Sequence, residues 1–240
     1  MLAALTILFI YNLFGIPAAI IGLPWTVISG DISMVYRWAM WIMHAGLRAA
    51  GIRIEVVWRT HLDPAKRYIF LSNHVSNLDP PVLLPLIPGR TSVFIKRSLM
   101  KLPIMGYGMR LGNYIPVDRD GRVESAKESV THAVRVLSSG LHITSFVEGT
   151  RSRDGRLQPF KKGPFYLAKE TGAPVVPVSI WGTESMMKKG SLKIYPGTAY
   201  VTFHEPLDPN SFATRDELMA AVRRAIESGL PDWMWVDSAI

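Results

Sequence analysis

The chain has 240 residues, 48% of them hydrophobic and 19% charged, which suffices for one substantial core and excludes a disordered acidic or collagen-like polymer. Zero cysteines exclude disulfides, cysteine-ligated zinc or iron–sulfur centres, and a thiolate nucleophile. With 27 Lys and Arg against 19 Asp and Glu, a net +8, the balance suits an anionic partner, whether nucleic acid, an acidic membrane surface or a phosphorylated metabolite.

Residues 1–30 contain no charged side chain, and a bilayer core asks for about 20 mostly apolar helical residues. No Lys or Arg precedes Arg37, so the segment lacks the basic start of a secretory signal and reads as a retained anchor. Pro17 and Pro24 each remove an amide donor, which predicts a kinked or divided helix. A second helix is expected over Asp31 to Gly51, with Ser33, Arg37, His44 and Arg48 on one stripe. Trp25, Trp38 and Trp41 suit a membrane interface, and two helices dipping into one leaflet are favoured over a complete crossing. Packing of both helices into a soluble core is the competing reading.

From Arg53 the texture changes to short β-rich runs: 53–58, 68–73, 91–96, 114–118, 142–148, 175–181, 192–195 and 199–205. Between them Val123, Ala126, Val130, Ala133, Val134 and Leu137 recur at helical spacing. Thr214 and Glu217 form a capping box that opens a last helix, with Leu218, Val222, Ala225 and Ile226 on one face and Gly229 as its stop. Pro177 inside the run 175–181 points to an edge or a bulge. The expected fold is α/β, a mixed, mostly parallel sheet flanked by helices, with an apolar two-helix membrane motif at the start. A boundary near Gly51 divides a membrane-associating segment, 1–51, from an α/β domain, 52–240.

Six histidines are scattered without zinc-ligand spacing, and no metal site is expected. No GxSxG elbow, P-loop or GxGxxG is present, which removes the main support for serine-hydrolase, nucleotide-hydrolase and dinucleotide readings. One histidine has better company. His74 and Asp79 lie five apart around a Ser- and Asn-rich turn after a strand, and a carboxylate beside an imidazole fixes its tautomer and stabilises the imidazolium, as a general base requires. Asp before Pro is also a common turn former. The run from Glu148 and Gly149 through Thr150, Arg151, Ser152, Arg153 and Arg156 to Lys161 and Lys162 pairs a glycine with guanidinium forks. Such a run reads either as a phosphate site or as a solvated basic loop. Lys96 and Lys101 stand before a glycine-punctuated segment and are either phosphate or oxyanion contacts or plain surface residues. The VPV strand, Val176 to Val178, is core or a wall for an apolar ligand. No aromatic-rich basic module favours nucleic acid as a partner.

In this order the segments resemble the glycerolipid acyltransferase family, its bacterial members most closely. The family's NHxxxxD block is matched by Asn73 to Asp79, its basic, glycine-containing second block by Lys96 to Arg119, its EGTRS block letter for letter by Glu148 to Ser152, and its VPV block by Val176 to Val178. The match covers about residues 70 to 181. One departure is that Asn113 and then Tyr114 stand where the second block often carries an aromatic residue. The resemblance implies transfer of a fatty acyl group from an acyl-carrier protein or coenzyme A thioester to the hydroxyl of lysophosphatidic acid, giving phosphatidic acid, with no bound cofactor. It implies His74 as general base, Asp79 orienting it, and Arg151 on the acceptor phosphate. Asn73, Glu148, Gly149 and Thr150 would shape the substrate pocket, and Lys96 and Lys101 would contact phosphate or oxyanion. Membrane phospholipids would surround an enzyme of the bacterial inner membrane whose site faces the cytoplasm. Transfer to another acceptor, a hydrolase in which His74 activates water, and a non-catalytic lipid-binding protein are the alternatives.

Overall fold

A computed structural model of the chain describes residues 2–118 and 123–235, without the side chains of Val123 and Ala126. Arg119 and the side chains of those two helix positions therefore lie outside the described residues.

The chain opens with α1 (Leu2–Ser29) and α2 (Ser33–Ala49), a helical hairpin. Of the two outcomes expected from Pro17 and Pro24, a division does not occur: α1 is continuous through both. Each proline forfeits one backbone bond, but contacts with α2 persist on both sides of Pro17. Gly46 is open so that Tyr11 can approach, Gly22 so that Val35 can, and Phe14 meets Trp41 edge-on at 5.1 Å. The far side of α1 is exposed along its length, including Phe9, Ile16, Ile20 and Ile28.

Seven strands follow: β1 (Ile52–Trp58), β2 (Ile69–Ser72), β3 (Thr91–Lys96), β4 (Ile115–Val117), β5 (His142–Phe146), β6 (Val175–Trp181) and β7 (Gly197–Phe203). They form one sheet of order β1-β7-β6-β2-β5-β3-β4, parallel at every pairing except β6 with β7. The mixed, mostly parallel sheet is as expected. Between the strands run α3 (Asp79–Leu83), α4 (Met105–Leu111), α5 (Val123–Ser138), α6 (Gly163–Thr171), α7 (Thr183–Met186) and, last, α8 (Arg215–Glu227). The central strands are buried on both faces, as near-continuous apolar runs dictate. In β2, Phe70 joins one apolar layer with Leu47, Val82, Val178 and Ile180; Ile69 and Leu71 join the other with Ala133, Phe165, Leu218 and Val222. Helices α1 to α3 thus cover one face, and α5, α6 and α8 the other. Ala3, Ile7, Leu47 and Ala50 of the hairpin belong to the first layer, so the hairpin shares a core with the sheet.

Two sequence expectations need correction. The run 192–195 is not a strand: Tyr195 donates its amide to the Met186 carbonyl at the end of α7, and Pro196 follows, so its backbone has no strand to join. Pro177 is not on an edge, since β6 lies between β7 and β2. The bulge alternative holds instead. Between the pairs Val175–Leu207 and Val178–Phe203 one side advances three residues and the other four, and Pro177 sits at that interruption, where its carbonyl accepts from the His204 amide. The capping box at Thr214 and Glu217 is formed in both directions.

Candidate active site

Strands β2, β5 and β3 are parallel and neighbouring, so their carboxyl ends open on one rim, the usual place for functional groups in an α/β sheet. The first block leaves β2 at that rim under strong constraint. Asn73 is fully buried; its side-chain amide donates to the Ile180 carbonyl and its Oδ1 accepts the Ile180 amide, both at 2.8 Å. Those two bonds tie the end of β2 to β6, so Asn73 acts as a clasp between the two strands. His74 comes next. Its Nδ1 lies 2.7 Å from Asp79 Oδ2, and the same oxygen accepts the amides of Val75 and Ser76 at 2.7 and 2.8 Å. A carboxylate can only accept, so a proton sits on Nδ1, which in the neutral ring leaves the free lone pair on Nε2. Nε2 has no partner among the described residues. The ring stacks on Phe146 with centroids 4.2 Å apart and remains 16% exposed.

The third block wraps the first. Glu148 leaves β5 nearly fully buried; Oε1 accepts the His74 amide at 2.7 Å and Oε2 the Gln158 amide at 2.9 Å. Four residues on, the Ser152 amide donates to the His74 carbonyl at 2.8 Å. The backbone of His74 is therefore held from both sides by the EGTRS turn. Within the turn Gly149 has φ +67°, and a Cβ there would press on Lys161 Cγ at 3.1 Å. Thr150 is exposed; Arg151 is half-buried, and its carbonyl accepts from Lys189 Nζ at 2.7 Å. Arg151 immediately precedes the Ser152 amide that bonds to His74.

Lys96 ends β3, three residues beyond Val93, which pairs with Thr144 of β5. That register brings Lys96 to the rim. Lys101 closes a 3₁₀ turn over Arg97–Lys101, and both lysines are exposed. Neither enters the hydrogen-bond network of His74 and Asp79 among the described residues. The neighbouring Arg97 is the one fixed: it pairs with Asp118 at 2.6 Å and Glu128 at 3.1 Å.

Sequence reasoning missed four contributors: Phe146 under the ring, Gln158 on Glu148, Lys189 on the EGTRS turn, and Thr183, whose hydroxyl donates to Asp79 Oδ1 at 2.5 Å. Only Phe146 could have been suspected, from its place in the strand that delivers Glu148. The buried histidines 142 and 204 are spent elsewhere. His142 Nδ1 accepts the Tyr68 amide, His204 Nε2 donates to Ser179 Oγ, and desolvation holds both down to about 4.

Burial pushes the Glu148 carboxyl up to about 7, against the two amide donors, which favour its charged form. The native state then holds a proton on Glu148 between its ordinary 4.5 and about 7 that the unfolded chain does not. Its contribution to stability is full below 4.5 and falls as pH rises through 7. Glu148→Gln removes this slope and turns an NH₂ against one of two amide donors, so a destabilisation of about 1–3 kcal/mol is expected. Denaturant midpoints of both proteins at pH 5 and pH 8 test this. His142 and His204 add slope of opposite sign to each, so the difference between the two proteins is the quantity to read. Equal pH slopes would refute the assignment to Glu148.

Comparison with known proteins agrees with this geometry. A model of the family described as Acyltransferase matches residues 53–181, more than half of the chain. The 1-acyl-sn-glycerol-3-phosphate acyltransferase of Limnanthes douglasii is 35% identical over 163 residues, covering 68% of this chain and 57% of that protein. The alpha form from Homo sapiens is 30% identical over 180 residues, 75% of this chain and 63% of its own length. The chain thus spans less than two thirds of these curated relatives. The crystal structure of the 1-acyl-sn-glycerophosphate (LPA) acyltransferase PlsC from Thermotoga maritima superposes with a TM-score of 0.79 at 26% identity, over 95% of this chain and 93% of that one. With the NHxxxxD and EGTRS blocks folded around one histidine and the family model spanning both, the chain belongs to the acyltransferase family.

Proposed function

We propose that this chain transfers a fatty acyl group from an acyl-carrier protein or coenzyme A thioester to the sn-2 hydroxyl of lysophosphatidic acid, giving phosphatidic acid. The observation that carries the reading is the 2.7 Å contact of His74 Nδ1 with Asp79 at a sheet rim, with Nε2 unpaired and the EGTRS turn hydrogen-bonded to the same residue. His74 Nε2 takes the proton of the acceptor hydroxyl as its oxygen attacks the thioester carbonyl, and Asp79 stabilises the imidazolium. Collapse of the tetrahedral intermediate expels the thiolate, which takes that proton from Nε2. The acyl donor is already activated, so a chain without cysteine or serine nucleophile needs no covalent intermediate. General-base catalysis of this kind contributes about 10²- to 10⁴-fold, and positioning supplies more.

In this reading Arg151 holds the acceptor phosphate in a pocket shaped by Glu148, Gly149 and Thr150. Lys96 stands at the rim for phosphate or oxyanion contact, with Lys101 farther out in the same role. The acceptor's one acyl chain anchors it in a leaflet with its phosphate at the surface. A membrane-lying α1 puts the site at that level. Ala3 and Ile7 near one end of α1 pack in the sheet's core layer, and Leu23 near the other comes within 3.9 Å of where a Gly108 Cβ would lie on α4. A helix fastened to the domain at both ends lies along it, which favours insertion into one leaflet over a crossing. Leu99, Leu102, Ile104 and Met105, exposed beside α4, extend the apolar surface. Soluble thioester donors place the site on the cytoplasmic side, in a bacterium at the inner membrane.

Purified protein supplied with acyl thioester and a panel of acceptors tests the reading: phosphatidic acid from lysophosphatidic acid is expected. Free fatty acid as the main product, or phospholipid retention without turnover, would overturn it. Arg151→Ala is expected to raise the apparent KM for lysophosphatidic acid by about 10- to 100-fold, the worth of a charge-assisted phosphate contact, with kcat little changed. An equal rise for an uncharged monoacylglycerol would remove Arg151 from the phosphate.

A further inference from the structure

The chain beyond the fourth block reaches the pair of His74 and Asp79 through a residue that no motif includes. β6 ends at Trp181, and Gly182 turns the chain with φ +89°. A Cβ on Gly182 would collide with the Thr198 carbonyl oxygen of β7, so only glycine permits this turn. The next residue, Thr183, opens α7 fully buried and donates its hydroxyl to Asp79 Oδ1 at 2.5 Å. Among the described residues it is the only donor to that oxygen, while Oδ2 accepts three.

The asymmetry matters because the torsion about an aspartate's Cβ–Cγ bond is broad. Rotation about that bond moves both oxygens together, so a donor on Oδ1 resists the same turn that would carry Oδ2 away from His74. Asp79 is wholly buried, so an oxygen without a donor would bear the full desolvation penalty and turn toward any available N–H. We infer that Thr183 is a positioning residue for acyl transfer, locking the Asp79 carboxylate so that Oδ2 faces His74 Nδ1. The inference rests on the general-base reading above. It also gives the segment from the end of β6 into α7 one physical task at two places: Ile180 clasps Asn73 before the histidine, and Thr183 holds the aspartate after it. The segment 180–183 is then the outer half of a clamp whose inner half is the first block.

The full chain, in detergent or on vesicles, tests this with steady-state kinetics of acyl transfer to lysophosphatidic acid. Thr183→Val keeps the shape and removes the donor; kcat is expected to fall about 10- to 100-fold, the range for a hydrogen bond to a charged group, with both KM values unchanged. Thr183→Ser restores the hydroxyl and most of the rate. On an Asp79→Asn background Thr183→Val should add little, because the two residues act as one unit. Should the valine variant not fold, Thr183→Ala against Thr183→Ser carries the same comparison. A valine or alanine variant at the wild-type rate, a change confined to KM, or full additivity with Asp79→Asn would each overturn the role of Thr183. His74→Ala is measured alongside: if it is inactive, any of those results counts against Thr183 alone, and if it keeps the wild-type rate the general-base reading fails as well.

Discussion

Replacing His74 with alanine is expected to reduce acyl transfer by at least about 10²- to 10⁴-fold, the contribution of a positioned general base, while leaving the protein folded. The two expectations rest on different atoms. The imidazole supplies the Nε2 lone pair, and no neighbouring side chain substitutes for it: Asp79 is buried behind the ring and Glu148 is occupied by two amides. The fold holds His74 by its backbone, through Glu148 on its N–H and Ser152 on its carbonyl, and both bonds survive truncation. Asp79 Oδ2 loses one donor and keeps the amides of Val75 and Ser76. Truncation leaves a gap against Phe146 at a partly exposed rim, where water can enter. The measurement is initial rate with product identification, beside a thermal unfolding curve. A soluble, cooperatively unfolding variant with most of its rate would remove the base from the mechanism. Loss of fold together with rate would mean instead that the ring is structural.

How legible this site was depends on which atoms carry each contact. The pairing of His74 with Asp79 could be anticipated, because both belong to one turn and a five-residue separation after a strand leaves few ways to place them. The bracket around His74 could not: it joins a side chain, Glu148, to a main-chain amide 74 positions earlier, and backbone donors leave no mark in a sequence. Thr183 was hidden for the same reason of distance, 104 positions from Asp79. In the fold, strands with continuous apolar runs, such as 91–96 and 175–181, were placed to the residue. The run 192–195 misled because its residue types favour a strand, whereas its backbone is tied to the end of α7, where Tyr195 donates to the Met186 carbonyl. The clasp of Asn73 on Ile180 was hidden as well, because only the sheet order sets β6 beside β2.

Charging the outer face of α1 is expected to release the protein from lipid without unfolding it. Phe9 and Ile20 are 63% and 68% exposed and point away from Tyr11 and Gly22, which face α2. Phe9→Asp with Ile20→Asp therefore leaves the shared core of hairpin and sheet intact. Deleting residues 1–50 would instead strip Leu47 and Ala50 from that core and confound release with unfolding. Moving two large apolar side chains from lipid to water costs about 1.5–3 kcal/mol each, before any penalty for burying carboxylate. The pair should weaken partitioning by about 10²- to 10⁴-fold, at about 1.4 kcal/mol per factor of ten. Flotation of the full chain with anionic and with neutral vesicles measures this. Turnover of a short-chain, water-soluble acceptor should persist, because the rim that carries His74 belongs to β2 and β5 and, among the described residues, α1 contributes no hydrogen bond to it. Vesicle binding at the wild-type level would show that this face does not meet lipid. Loss of turnover on the soluble acceptor would instead tie α1 to the chemistry itself, since the substituted side chains lie outside the core that positions His74.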